Sequence, residues 1–205
     1  MDGRTTVWQA ASLLLAYPDR GLYDRRPMLR GAVAALGTGR AAGRLTAFLD
    51  HLDATPLGRL AEHYVETFDL RRRCCLYLTY YRDGDTRRRG ASLAVLKARY
   101  RTAGVELDSR EPPDFLPIVL EFAALHGGAA LLAEHRAGLE LLRLALLDRG
   151  TPYAAPVEAV CATLPGPSPR DRAEAVRLAG SGPPAESVGL APILPDDVRP
   201  SRESR

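Results

Sequence analysis

Two arginine triplets bracket a tyrosine-rich stretch in the middle of this chain. Arg71-Arg72-Arg73 precedes Cys74-Cys75, and Arg87-Arg88-Arg89 follows Tyr77, Tyr80 and Tyr81. Guanidinium forks bind carboxylates and phosphates through paired hydrogen bonds, so the triplets could meet an anionic partner. They could equally be solvated charges beside helix C-termini and acidic neighbours. Glu62, His63, Glu66 and Asp69 recur at helical spacing, where residues three and four apart share a face. No second ligand-bearing segment accompanies them, so they read as a solvated polar face and not as a metal site. Cys74-Cys75 also lacks the further ligands that a thiolate metal site needs and reads as structural. Neighbouring cysteines rarely bond to each other, and three in all, with Cys161, make no disulfide framework.

No P-loop, dinucleotide fingerprint, nucleophile elbow or zinc spacing occurs. Gly37-Thr38-Gly39 lacks a third glycine and a preceding strand, and reads as a loop between helices. The residues support a binding module, with no metal expected. Its 205 residues, 46% hydrophobic and 26% charged, suit one globular domain with or without a tail. The net charge of +3 comes almost wholly from arginine, Lys97 being the single lysine, and no basic stripe suggests a nucleic-acid partner. Val7 to Ala16 is too short and too amphipathic for a leader, and no apolar run reaches bilayer length, so a cytosolic location is expected.

Ala and Leu are abundant, and β-branched residues and period-two alternation are sparse, which predicts an all-α fold. Thr5 or Thr6 should cap a first helix carrying Val7, Ala11, Leu14 and Leu15 inward, stopped by Pro18. Asp19 should open a stretch with Leu22, Leu29, Val33 and Leu36 that Pro27 divides. Leu45, Phe48, Leu49 and Leu52 mark the next helix, ended by Pro56. Leu57, Leu60, Ala61, Tyr64, Val65 and Phe68 form a wide apolar stripe and mark the clearest helix. Asp83-Gly84-Asp85 is a turn before a helix that Gly104 ends. Asp114 should cap a helix running to Gly127-Gly128, followed by one from about Ala130 to Asp148 with Leu131, Leu132, His135, Leu139, Leu142 and Leu146 inward. Thr151-Pro152 opens a last helix. Residues 1–165 are expected as one helical domain. Residues 166–205, rich in Pro, Gly and charge, are expected as a mostly disordered tail with a short helix near Ala173 to Leu178.

The run from Tyr64 to Tyr81, the Asp83-Gly84-Asp85-Thr86-Arg87-Arg88-Arg89-Gly90 segment, and Glu111 to Phe122 closely resemble the nitrate reductase molybdenum-cofactor assembly chaperones, the NarJ-type delta-subunit family. Leu13 to Asp19 is also similar. The chain departs from the family pattern at Pro112, where the family usually has leucine, and proline stiffens the loop ahead of the helix. The resemblance implies a helical bundle of the redox-enzyme maturation chaperone type. It implies binding to the N-terminal segment of the nitrate reductase catalytic (alpha) subunit, held in the cytosol while its molybdenum cofactor and iron–sulfur cluster are inserted. No cofactor is then held stably by the chain itself. The alternative is direct carriage of the molybdenum pterin cofactor, with Arg71, Arg73, Arg87, Arg88 and Arg89 as its contacts.

The matching motifs put candidate client-peptide contacts at Tyr64, Phe68, Asp69, Arg72, Tyr77, Tyr80 and Tyr81. A second segment adds Asp114, Phe115, Leu120 and Glu121. An amphipathic helix of a client can lie in a groove between helices, and tyrosine suits a half-wet groove wall. Phe68 and Leu120 also read as ordinary core. Tyr80 and Tyr81 are neighbours, so at least one should reach the surface. Glu121 could take a cationic peptide end or pair with an arginine.

Overall fold

In a computed structural model that describes residues 2–107 and 111–180, every regular element is helical. Helix α1 (Gly3–Leu15) starts earlier than Thr5 or Thr6 would set it. Asp2 is its cap and accepts the N–H of Arg4 at 3.3 Å, while Thr5 gives its hydroxyl to the Asp2 carbonyl. Asp19 caps α2 (Arg20–Asp24) by accepting the N–H of Leu22 at 2.7 Å. Pro27 falls in the first turn of α3 (Arg26–Ala34), where a missing N–H costs nothing, so the stretch divides there. α4 (Arg40–Ala54) buries Leu45, Phe48, Leu49 and Leu52, and α5 (Leu57–Tyr64) follows Pro56.

The regular helix stops at Tyr64, short of Phe68. Val65–Asp69 is a π turn, and the N–H of Leu70 reaches the Val65 carbonyl at 3.1 Å. The wider turn rotates the inward face. Thr67 joins Phe68 in the interior, and Val65 is left half-buried. A 3₁₀ turn, Arg72–Cys74, leads to α6 (Tyr80–Asp83) and α7 (Arg87–Thr102). Gly104 follows α7 with φ 74°, a left-handed conformation that favours glycine.

Asp114 does not cap the next helix. Phe115 holds the cap position of α8 (Leu116–His126), and Asp114 is turned wholly inward. The helix expected over 130–148 is two, α9 (Ala129–Glu134) and α10 (Arg136–Arg149), parted at His135. All six residues of its expected inner face are nonetheless buried. α11 (Ala154–Cys161) closes the core. α1 packs on α8 and α11, and α11 on α4 and α10. Three side-chain bonds pin α1 in place: Trp8 Nε1 donates to Thr163 Oγ1 at 2.8 Å, Ser12 Oγ to the Pro117 carbonyl at 2.7 Å, and the Tyr64 hydroxyl to the Leu15 carbonyl at 3.2 Å. The ring of Tyr153 gathers Phe48, Tyr64 and Phe68 at 5.0, 5.8 and 4.9 Å.

Residues 166–180 return along α10. The expected short helix is α12 (Arg172–Gly180), packed on α10 through the fully buried Ala175. A polar hub tethers the approach to it. Buried Glu140 accepts Arg143 Nε at 2.6 Å and the Ser168 hydroxyl at 2.7 Å, and Arg136 donates to the carbonyls of Gly166 and Pro167 at 2.9 and 2.8 Å. Captured carbonyls hold this stretch as well as apolar burial, which composition alone does not reveal. The rest of the expected tail, 181–205, lies outside the described residues.

Candidate functional site

Segments 76–79 and 113–116 clasp each other side by side. Leu78 donates its N–H to the Asp114 carbonyl at 3.0 Å, and Leu116 donates to the Leu76 carbonyl at 2.7 Å. These bonds make an isolated antiparallel bridge between Tyr77 and Phe115, whose rings lie 5.7 Å apart and half-buried. The Asp114 carboxylate accepts the N–H of Thr79 at 3.2 Å and also its hydroxyl. Arg89 approaches the same carboxylate at 3.6 Å and sits over the Tyr77 ring at 5.5 Å. One buried carboxylate thus holds both segments and one arginine, and the aromatic pair rests on that frame.

The charges of Asp69 and Glu111 act on both Tyr64 and Tyr77. Tyr17 is 57% exposed and packs edge-on to Tyr64 at 5.4 Å. Burial raises the pKa of Tyr77, and the charges of the exposed carboxylates Glu111 and Asp69 raise it further. Such a face suits a cationic, amphipathic segment.

The remaining candidates are spread between core and surface. Tyr64, Phe68 and Leu120 are interior, and Phe68 and Leu120 take the core role that also fitted their sequence. Tyr80 and Tyr81 are both half-buried. The Tyr81 hydroxyl lies 3.0 and 2.9 Å from the carbonyls of Arg73 and Cys75, which share its proton. Asp69, Arg72 and Glu121 are exposed. Burial raises the pKa of both Cys74 and Cys75, which keeps them as thiols.

The arginine triplets do not converge. Arg71, Arg72 and Arg73 open on a groove of about 420 Å³ between the 3₁₀ turn, α10 and α12, whereas Arg89 turns to Asp114, and Arg87 and Arg88 are exposed at the start of α7. Arg149 and Arg172 line the same groove, and Leu141, Leu144 and Ala145 form its floor. Sequence reasoning missed this assembly and the roles of Tyr17 and Glu111. A trace was visible in Leu141 and Leu144, which lie off the core stripe of their helix.

The supposed polar face of α5 is not uniform. Glu62 pairs with Arg59 at 2.9 Å, but His63 turns toward Thr151 at 2.8 Å and lies 6.3 Å from the ring of His51. Among the described residues no group of three or more His, Cys, Asp or Glu is placed to hold a metal ion. No helix among them is long and apolar enough to cross a membrane.

Residues 34–159 match the family described as nitrate reductase delta subunit. A nitrate reductase-like protein NarX of Mycobacterium tuberculosis is 41% identical over 79% of this chain and 25% of its own length. A probable nitrate reductase molybdenum cofactor assembly chaperone, NarJ of Bacillus subtilis, is 35% identical over 59% of this chain and 66% of its own. The corresponding NarJ of Escherichia coli K12 is 38% identical over 55% and 49%. The chain therefore spans a quarter of the NarX protein and from about half to two thirds of these chaperones. A putative redox enzyme maturation protein from Archaeoglobus fulgidus superposes with a TM-score of 0.59 at 20% identity, over 77% of this chain and 91% of its own, which shows a shared all-α fold.

Proposed function

The chain belongs to the nitrate reductase delta subunit family, and from that premise we propose that it is a non-catalytic chaperone for the catalytic subunit of a respiratory nitrate reductase. It holds the N-terminal segment of that apo-subunit while the molybdenum cofactor and an iron–sulfur cluster enter the client. The cofactors are the client's cargo. The observation that carries this reading is the half-open Tyr77–Phe115 pair on its backbone bridge, whose phenol feels the charges of Asp69 and Glu111. The rings offer apolar contact, the carboxylates select a cationic segment, and the Asp114 clasp fixes both segments before the client arrives, which lowers the ordering cost of binding.

Release follows from the client's own folding. An affinity near about 1 μM, roughly −8 kcal/mol, allows capture and exchange without ATP. Insertion of the cofactor buries the bound segment in the client and removes the ligand from solution. Titration of the full chain with a peptide of the client's N-terminus tests the proposal, with saturation in the micromolar range as the expected result. Absence of binding up to about 1 mM would reject it. Saturable binding of free pterin cofactor without peptide binding would favour direct carriage instead.

A further inference from the structure

The groove behind the π turn is a second surface, opposite in charge to the first. Its floor is one face of α10: Leu141, Leu144, Ala145, Asp148 and Arg149 line it at i, i+3, i+4, i+7 and i+8. That stripe runs about 12 Å, two turns of helix. Leu139, Leu142 and Leu146 point the other way into the interior; of the groove stripe Leu141 is itself buried at 8% exposed, and Leu144 and Ala145 are half-buried. Leu70, 69% exposed, extends the apolar strip at the rim.

Cations stand on both sides of this floor. Arg71, Arg72 and Arg73 come from the 3₁₀ turn, and Arg172 from α12 faces them across the groove. Arg149 closes one end, and Asp148 is the one carboxylate among the lining residues. Several arginines elsewhere are matched with carboxylates, as in Arg30 with Asp50 and Asp53, Arg99 with Glu134, and Arg143 with Glu140. None of the five groove arginines has an ion pair among the described residues.

We propose that this groove docks an acidic, amphipathic helical segment of a partner protein. Apolar side chains of the segment cover Leu70, Leu144 and Ala145, and carboxylates on either side of its apolar stripe meet the two arginine rims. The juxtaposition favours this occupant over the rivals. A bare phosphate or nucleotide phosphate would satisfy the guanidinium groups but leave the leucine floor wet. A membrane surface calls for a protruding face, and this one is concave. The client segment proposed for the Tyr77–Phe115 face is cationic, so the two surfaces select different partners and the groove stands independently of that assignment.

The test is a fluorescence anisotropy titration of the full chain with a labelled peptide of about four helical turns. It carries leucine at alternating three- and four-residue spacing, flanked by glutamate. A second peptide has glutamine at every glutamate. The glutamate peptide is expected to saturate, and the glutamine peptide to bind at least about tenfold more weakly. Raising salt from about 0.1 M to about 1 M shortens the screening length from about 10 Å to about 3 Å and should weaken the first and spare the second. The double substitution Arg149→Gln and Arg172→Gln, both at exposed positions, is expected to weaken the glutamate peptide about tenfold, since two ion pairs are lost at once. Leu144→Ser should also weaken it, which a purely ionic site would not show.

Circular dichroism on each variant establishes that the bundle is retained. The cationic client peptide, titrated in parallel, should be unaffected by Arg149→Gln and Arg172→Gln. Its failure to bind at all would count against the chaperone reading and leave the groove's result standing. Equal affinity for the two acidic-series peptides, or no effect of the double substitution, overturns the proposal. So does arginine-dependent binding of pyrophosphate or phosphatidylglycerol vesicles in place of the glutamate peptide.

Discussion

Asp114 receives both the backbone N–H and the hydroxyl of Thr79, thirty-five positions away in sequence, and does so with no exposure to solvent. An aspartate immediately ahead of a helical pattern reads as a cap, and the structure uses it instead as a clasp between two distant segments. Removing a buried charge's partner or its hydrogen bonds is costly because the orphaned groups cannot return to water. Asp114→Ala is therefore expected to lower unfolding free energy by about 3 kcal/mol. Thr79→Val should cost about 1–2 kcal/mol. Urea denaturation of both variants measures the difference. A loss under about 0.5 kcal/mol for Asp114→Ala, the range of an ordinary surface change, would show that the clasp is not structural.

The approach to α12 depends on Glu140 in the same way. Its carboxylate is buried between Arg143, Arg136 and Ser168. Glu140→Ala strands the buried Arg143 guanidinium and frees Ser168. The expected cost is about 3 kcal/mol. Loosening of residues 166–180 should then show as faster amide exchange across α12 than across α11. Equal protection of the two helices in the variant would mean that Ala175 alone holds α12.

Three histidines give the fold a pH dependence of defined sign. Burial lowers the pKa of His51, His63 and His135, with His51 further lowered by His63 and His63 by Arg149. The unfolded chain, with histidines near about 6.5, takes up protons that the folded chain resists. Stability is thus complete above about pH 6.5 and falls as the pH drops through that value toward the lower folded values. The urea midpoint should be lower at about pH 5.5 than at about pH 7.5. His63→Gln, which keeps a polar partner for Thr151, should flatten part of that slope.

The all-α fold was legible because apolar spacing at three and four residues is a local property. Leu45, Phe48, Leu49 and Leu52, and the six-residue face ending at Leu146, are buried as their periodicity predicts. The π turn at Val65–Asp69 was not legible, since one extra residue per turn shifts which side chains face inward and leaves no distinct pattern in so short a run. The Tyr77–Phe115 contact joins two segments whose sequence motifs were visible, but only the backbone bridge makes them one surface. The arginine groove draws on three separated elements, so no window of sequence contains it.

Tyr77 and Phe115 give the chaperone proposal its most direct mutational test. Both are half-buried, so truncating either removes contact area for a partner and leaves the interior aromatic cluster around Tyr153 untouched. Tyr77→Ser and Phe115→Ala should each weaken the client peptide by about tenfold, in line with the 1–2 kcal/mol expected of an aromatic anchor at an interface. Reversing the neighbouring charges with Asp69→Lys and Glu111→Lys should slow association with a cationic peptide more than it speeds dissociation, because exposed charges act mainly by steering. Stopped-flow measurements separate the two rates. Unchanged affinity in both aromatic variants, with the bundle intact by circular dichroism, would move the client's binding surface elsewhere on the molecule.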